Sequence, residues 1–137
     1  MDASIIFSLV NMLAMVMWIL MIFLPKWKAT SWLCRFKLVP LLLSCLYLFY
    51  TVYNMINGVP LDFSSLDSVM ELFTKESAMM AGWIHYLAFD LLIGMWMIKQ
   101  NEKHGISVFI MALCLFLTFF LGPVGFLLFS IISNIKK

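Results

Sequence analysis

Four long apolar runs, almost free of charge, constrain this chain more than any other feature. They cover about 5–24, 38–56, 78–98 and 106–132. Each is continuous rather than alternating, and each is near the roughly 20 residues a helix needs to cross hydrocarbon. A chain in lipid has no water to satisfy its backbone, so it must be helical or form a closed barrel; continuous runs exclude barrel strands. Composition agrees, with 64% of the 137 residues hydrophobic, 12% charged and a mean hydropathy of +1.03. A soluble domain carries about a quarter charged residues. The expected fold is an all-α membrane protein, a single domain over residues 1–137 with four transmembrane helices.

Charge placement predicts the orientation. Lys26, Lys28, Arg35 and Lys37 follow the first run and Lys99 and Lys103 follow the third, while Lys75, Lys136 and Lys137 fall on the other side of a four-span chain. Six against three places loops one and three in the cytoplasm and both termini outside. The first run lacks a basic n-region and a small-residue cleavage site, so it reads as a span and not as a cleavable signal peptide. An Arg/Ser-rich transit extension is not seen either, so the expectation is a prokaryotic inner membrane or a mature chain whose targeting segment is missing. Between the second and third runs, Ser64 or Ser65 offers an N-cap. Leu66, Val69, Met70 and Phe73 then recur at i, i+3, i+4, i+7, predicting a short amphipathic helix at the outer interface.

Two ionisable residues, His85 and Asp90, interrupt the third run. A charge at such depth costs several kcal/mol, so an intramembrane Asp is read first as a functional site. Five residues separate the pair by about 140° on an ideal helix. Either they face different neighbours, or a π-bulge brings them together. A carboxyl that keeps its proton there can act as a general acid, and a neutral imidazole as a base.

Other polar residues mark helix faces. Ser4, Ser8 and Asn11 form a narrow stripe on the first helix, which can pack on a neighbour through hydrogen bonds. Ser44, Tyr47, Tyr50, Thr51 and Asn54 form a wider one on the second, with Tyr50 and Asn54 placed at the interfacial belt. In the fourth run, Ser107, Met111, Cys114, Thr118, Gly122 and Gly125 share a face, and Pro123 is expected to kink the helix. From these stripes Tyr47, Asn54, Asn11 and Thr118 are the candidate site-lining residues.

Several chemistries are excluded by pattern. Cys34, Cys45 and Cys114 are odd in number and lack ligand spacing, and Cys45 and Cys114, which lie within the apolar runs, read as small packing residues. His104 is the only other histidine, which leaves no metal-ligand constellation and no second axial ligand for an intramembrane haem. No phosphate loop, dinucleotide fingerprint or nucleophile elbow is present, so no cofactor is expected. The basic residues sit where topology needs them, so nucleic acid is not an expected partner.

The stretch DFSSLDSVMELFTKESAMMAGWIHYLAFDLLIG resembles the core signature of the abscisic-acid-deficient-four-like family of small four-helix membrane proteins. CLFLTFFLGPVGFLLF resembles the last helix of that family, and the first run ending at Pro25-Lys26-Trp27 also fits. Plant members are linked to neoxanthin synthesis, in which a violaxanthin epoxide opens to an allene. The resemblance implies a cofactor-independent carotenoid or isoprenoid isomerase, with Asp90 as general acid and His85 as base or orienter. Trp83, Tyr86 and Trp96 would stack on the polyene. The alternatives are a carotenoid- or lipid-binding accessory protein of another membrane protein, or a proton-conducting bundle built on Asp90. A homodimer groove would give a long polyene more room than one bundle of this size.

Overall fold

The computed structural model describes residues 2–135, and every regular element among them is an α-helix. The order is α1 (Ala3–Phe23), α2 (Lys28–Phe36), α3 (Leu38–Ile56), α4 (Leu66–Phe73), α5 (Glu76–His104), α6 (Val108–Leu121) and α7 (Pro123–Ile135). Three stretches are long and apolar enough to cross a membrane: Ala3–Phe23, Lys28–Ile56 and Glu76–His104. The second is divided at Lys37, whose left-handed backbone (φ 50°) ends α2 and starts α3. From sequence, α2 is expected only as a charged loop, since nine residues show too few apolar repeats to announce a helix.

α5 is the axis of the bundle, with α1 running parallel to it and α3 antiparallel. Asn11 reaches Trp83 near one end of α1, and Trp18 lies on Gly94 further along. On α3 the order is reversed, with Asn54 bonded to Ser77 and Tyr47 against His85. Trp18 is 2% exposed and packs its ring against Phe119 at 5.7 Å, so it sits in the core. Much of the outer surface is apolar too, from Phe23 at 73% exposed to Phe109 at 89%. An apolar exterior of this extent matches a lipid solvent and not water.

The fourth apolar run departs from expectation. The sequence predicts one kinked helix there, but the run forms two helices of 14 and 13 residues that fold back on each other. Gly122 takes φ 43° and ψ −98°, outside any helical region, and reverses the chain in front of Pro123. α7 then lies against α6. A Cβ on Gly125 would collide with Thr118 Oγ1 and N and with the Cys114 carbonyl. Further along, Phe126 and Phe129 pack on Trp96 at 5.7 and 5.8 Å, and Phe129 approaches His104. α7 therefore runs back towards the C-terminal end of α5. A proline alone kinks a helix; the glycine on each side of it allows a full reversal and a close return.

Lipid removes much of the hydrophobic drive between helices, so close van der Waals contact has to hold this hairpin together. Gly125→Ala puts a methyl group into α6 backbone that cannot move aside. Thermal unfolding in detergent should show a loss of about 1–3 kcal/mol. Val124→Ala, on the exposed side of α7, should stay within about 0.5 kcal/mol.

Candidate functional site

Asp90 is the fifteenth residue of the 29-residue α5, so it lies at the middle of that helix. α6 is about 20 Å long at 1.5 Å per residue, and it climbs from the Gly105 turn only as far as Asp90. The hairpin tip therefore meets the carboxylate. A Cβ on Gly122 would stand 3.2 Å from Asp90 Oδ1 and 3.4 Å from Oδ2. Oδ2 is sealed from solvent and has no hydrogen-bond partner among the described residues.

The broken helix supplies its own polar demand here. The last four carbonyls of α6 have no partner further along the same helix. Gly122 N–H donates to the Thr118 carbonyl at 2.8 Å. The Phe119 carbonyl would in a continuous helix accept from residue 123, but Pro123 has no N–H to give. The Tyr86 hydroxyl takes that place, donating to Phe119 O at 3.4 Å. Tyr86 stands one turn before Asp90 on the same face of α5. Tyr86 thus ties α5, one turn from the acid, to the orphaned carbonyl of the hairpin tip.

His85 lies elsewhere. α5 is an uninterrupted α-helix, so no bulge draws His85 towards Asp90. The imidazole faces α3, with Tyr47 edge-on at 5.4 Å and Phe89 stacked at 4.7 Å. It borders a cavity of about 320 Å³ together with Tyr47, Thr51 and Asn54. The structure therefore does not bring the two expected catalytic residues together.

The remaining candidates divide among three faces of α5. Trp83 and Tyr86 share the Asp90 face, with rings 5.5 Å apart. Asn11 is occupied, since its Oδ1 accepts from Trp83 Nε1 at 3.0 Å and its amide donates to the Phe7 carbonyl. Trp96 docks α7 and is not beside Trp83 or Tyr86. Thr118 is fully buried, with its hydroxyl on the Cys114 carbonyl at 2.8 Å. Asn54 and Tyr50 are buried in the bundle.

Most other hydroxyls turn inward on their own helices. Ser8, Ser44, Thr51 and Ser130 each donate to the carbonyl four residues earlier, the usual way to satisfy such groups without water. The stripe of Ser4, Ser8 and Asn11 therefore serves α1 itself more than its neighbour, except through Asn11. Among the described residues no group of His, Cys, Asp and Glu is arranged to hold a metal ion. What the sequence reading missed is the Tyr86–Phe119 link. Its signal was present in Gly122-Pro123, which leaves a carbonyl to be satisfied from outside the helix.

If Tyr86 joins acid and hairpin as one unit, Tyr86→Phe and Asp90→Asn should be coupled. A double-mutant cycle on thermal stability in detergent should give a coupling of at least about 0.5 kcal/mol. Strict additivity would separate the two groups.

Comparison with known proteins accords with this architecture of apolar helices. No curated protein and no solved structure matches the chain. The ABA DEFICIENT 4-like family matches residues 5–129, most of the chain, and its apolar helices fit a membrane protein of that family. The chain belongs to the ABA DEFICIENT 4-like family.

Proposed function

We propose that this protein is a membrane-embedded isomerase of an oxygenated isoprenoid, of the carotenoid-epoxide type, with Asp90 as the proton donor. The observation that carries the proposal is the sealed, unpartnered Asp90 Oδ2 at the hairpin tip. A buried polar atom without a partner is costly, and such atoms cluster where chemistry is done. In the proposed step an epoxide C–O bond breaks as its oxygen takes the proton of the Asp90 carboxyl. A neighbouring carbon then loses a proton, and the carboxylate just formed receives it. Atoms and electrons balance within the substrate, so no redox partner is needed. Trp83 and Tyr86, on the Asp90 face, supply aromatic surface for the polyene; His85 is too far around α5 to serve as the base.

The same reading carries a topology. We place α1, α3 and α5 across the bilayer, α4 along the outer interface, and α6–α7 as a hairpin that enters halfway and returns. Lys26, Lys28, Arg35, Lys37, Lys99 and Lys103 then share the cytoplasmic side, and only Lys75 among the described residues faces out. Lys136 and Lys137, which opposed the four-span arrangement, lie outside the described residues but directly follow α7. This arrangement satisfies the positive-inside rule better than four full spans do.

Two experiments test these readings. In carotenoid-producing cells, wild type should generate a new pigment isomer by chromatography and mass spectrometry, and Asp90→Asn at matched expression should lose it by at least about a hundredfold, the low end of general-acid contributions. Unchanged pigments with wild type in every host background would overturn the isomerase. For topology, a fluorescent protein fused after residue 137 should fluoresce in the cytoplasm, while alkaline phosphatase fused there stays inactive. The reverse pattern would restore a full fourth span.

A further inference from the structure

The cavity between α3 and α5 lies on the opposite side of α5 from the hairpin tip and has its own chemistry. It is about 320 Å³, at the small end of ligand sites. α4 closes it from the end nearest Glu76: Ser65 caps that helix by accepting from Ser68 N–H at 3.1 Å. The expected apolar stripe of α4 is only partly the one used. Leu72 is buried, Leu66 and Met70 point away, and the Phe73 edge overhangs Gly82. The preceding loop is tied by Ser64 N–H to Asp62 at 2.8 Å, and the Ser64 hydroxyl and N–H hold that exposed carboxyl below its usual range.

The polar groups in this cavity are short of partners. Neither nitrogen of His85 and neither face of the Tyr47 hydroxyl has a hydrogen-bond partner among the described residues. Asn54 accepts from Ser77 and leaves its amide nitrogen unengaged. Yet His85 is exposed on the bundle, nine residues into α5. A lipid-facing imidazole at such depth is unfavourable unless something polar covers it. No Lys or Arg lines the cavity, so it offers nothing to a phosphate or carboxylate headgroup. Donors and acceptors without fixed charge fit a hydroxyl or carbonyl on an apolar body.

We propose that this cavity is a binding site for the hydroxyl-bearing end of a neutral membrane amphiphile, recognised by His85 with Tyr47 and Asn54. The volume holds only one end of such a molecule. The remainder lies over Phe89, which is exposed beside the imidazole. The proposal goes beyond the Asp90 chemistry and does not rest on it, because the two groups open to different faces of α5. A second copy of the chain is the competing occupant, but a helix about 10 Å across does not enter a cavity this small beneath α4.

The test is binding without turnover, so its outcome is independent of any proton transfer at Asp90. Purified full-length protein in lipid nanodiscs is titrated with all-trans-retinol and followed by the ligand's fluorescence. Wild type should bind saturably. Farnesol should displace the probe, while farnesene and farnesyl phosphate should need at least about tenfold more, the equivalent of one good hydrogen bond. His85→Phe keeps the ring contacts and should weaken retinol binding about tenfold; His85→Gln, which restores a donor and acceptor, should recover much of it. Because His85 is exposed, these variants should remain folded, which monodispersity in detergent verifies. Equal affinity in wild type and His85→Phe overturns the proposal, as does displacement by farnesene as readily as by farnesol. A disulfide-linked dimer formed in membranes by His85→Cys and not by wild type would assign this face to a second copy, and so overturn it too.

Discussion

A helix that breaks halfway along an apolar bundle leaves carbonyls that no water can reach, and the arrangement around α5 follows from satisfying them. Gly122 turns the chain and closes the Thr118 carbonyl with its own N–H. Pro123 cannot do the same for Phe119, so Tyr86 does it from the neighbouring helix. That bond fixes the hairpin tip at the level of Tyr86 and hence at Asp90, one turn on. Had the fourth run stayed a single helix, its backbone would have been self-sufficient and Asp90 would have faced apolar side chains alone. The break supplies the non-helical backbone beside the acid. Irregular backbone in an apolar phase persists only where protein or a cavity satisfies it, and here a tyrosine does so.

The centrality of α5 has a second consequence. One continuous helix of 29 residues carries both ionisable groups, and its rigidity holds them on separate faces. Asp90 looks to the α6–α7 hairpin, and His85 to α3 and the α4 lid. A pair five residues apart on an unbroken helix cannot serve one reacting atom, whatever its individual chemistry. The molecule has two polar centres whose contents differ: a half-buried carboxyl with one oxygen sealed at the hairpin tip, and an open imidazole with hydroxyl and amide neighbours at the other.

Packing in the rest of the bundle follows the apolar surroundings. Hydroxyls bond back to their own helices, and small residues let α7 approach α6 closely. The largest buried side chain, Trp18, fills the space between α1, α5 and α6. Gly94 opposite it leaves room for the ring.

The sequence by itself determined the helical class, the three helices long and apolar enough to cross a membrane, the amphipathic α4 with a serine cap at Ser64 or Ser65, and the singular position of Asp90. Those properties depend on continuous apolar length, on local capping, and on the cost of a charge in a hydrophobic run, all of which one chain displays without reference to partners. It also carried the resemblance that the family match over residues 5–129 bears out. Tertiary structure alone decided that the fourth run doubles back, that Tyr86 answers Pro123, and that His85 and Asp90 part company. A Gly-Pro pair announces a broken helix but not the angle of the break. That angle depends on whether α7 finds a better contact along α6 than along a continued axis, and Gly125, lying against Cys114 and Thr118, settles it in favour of the hairpin.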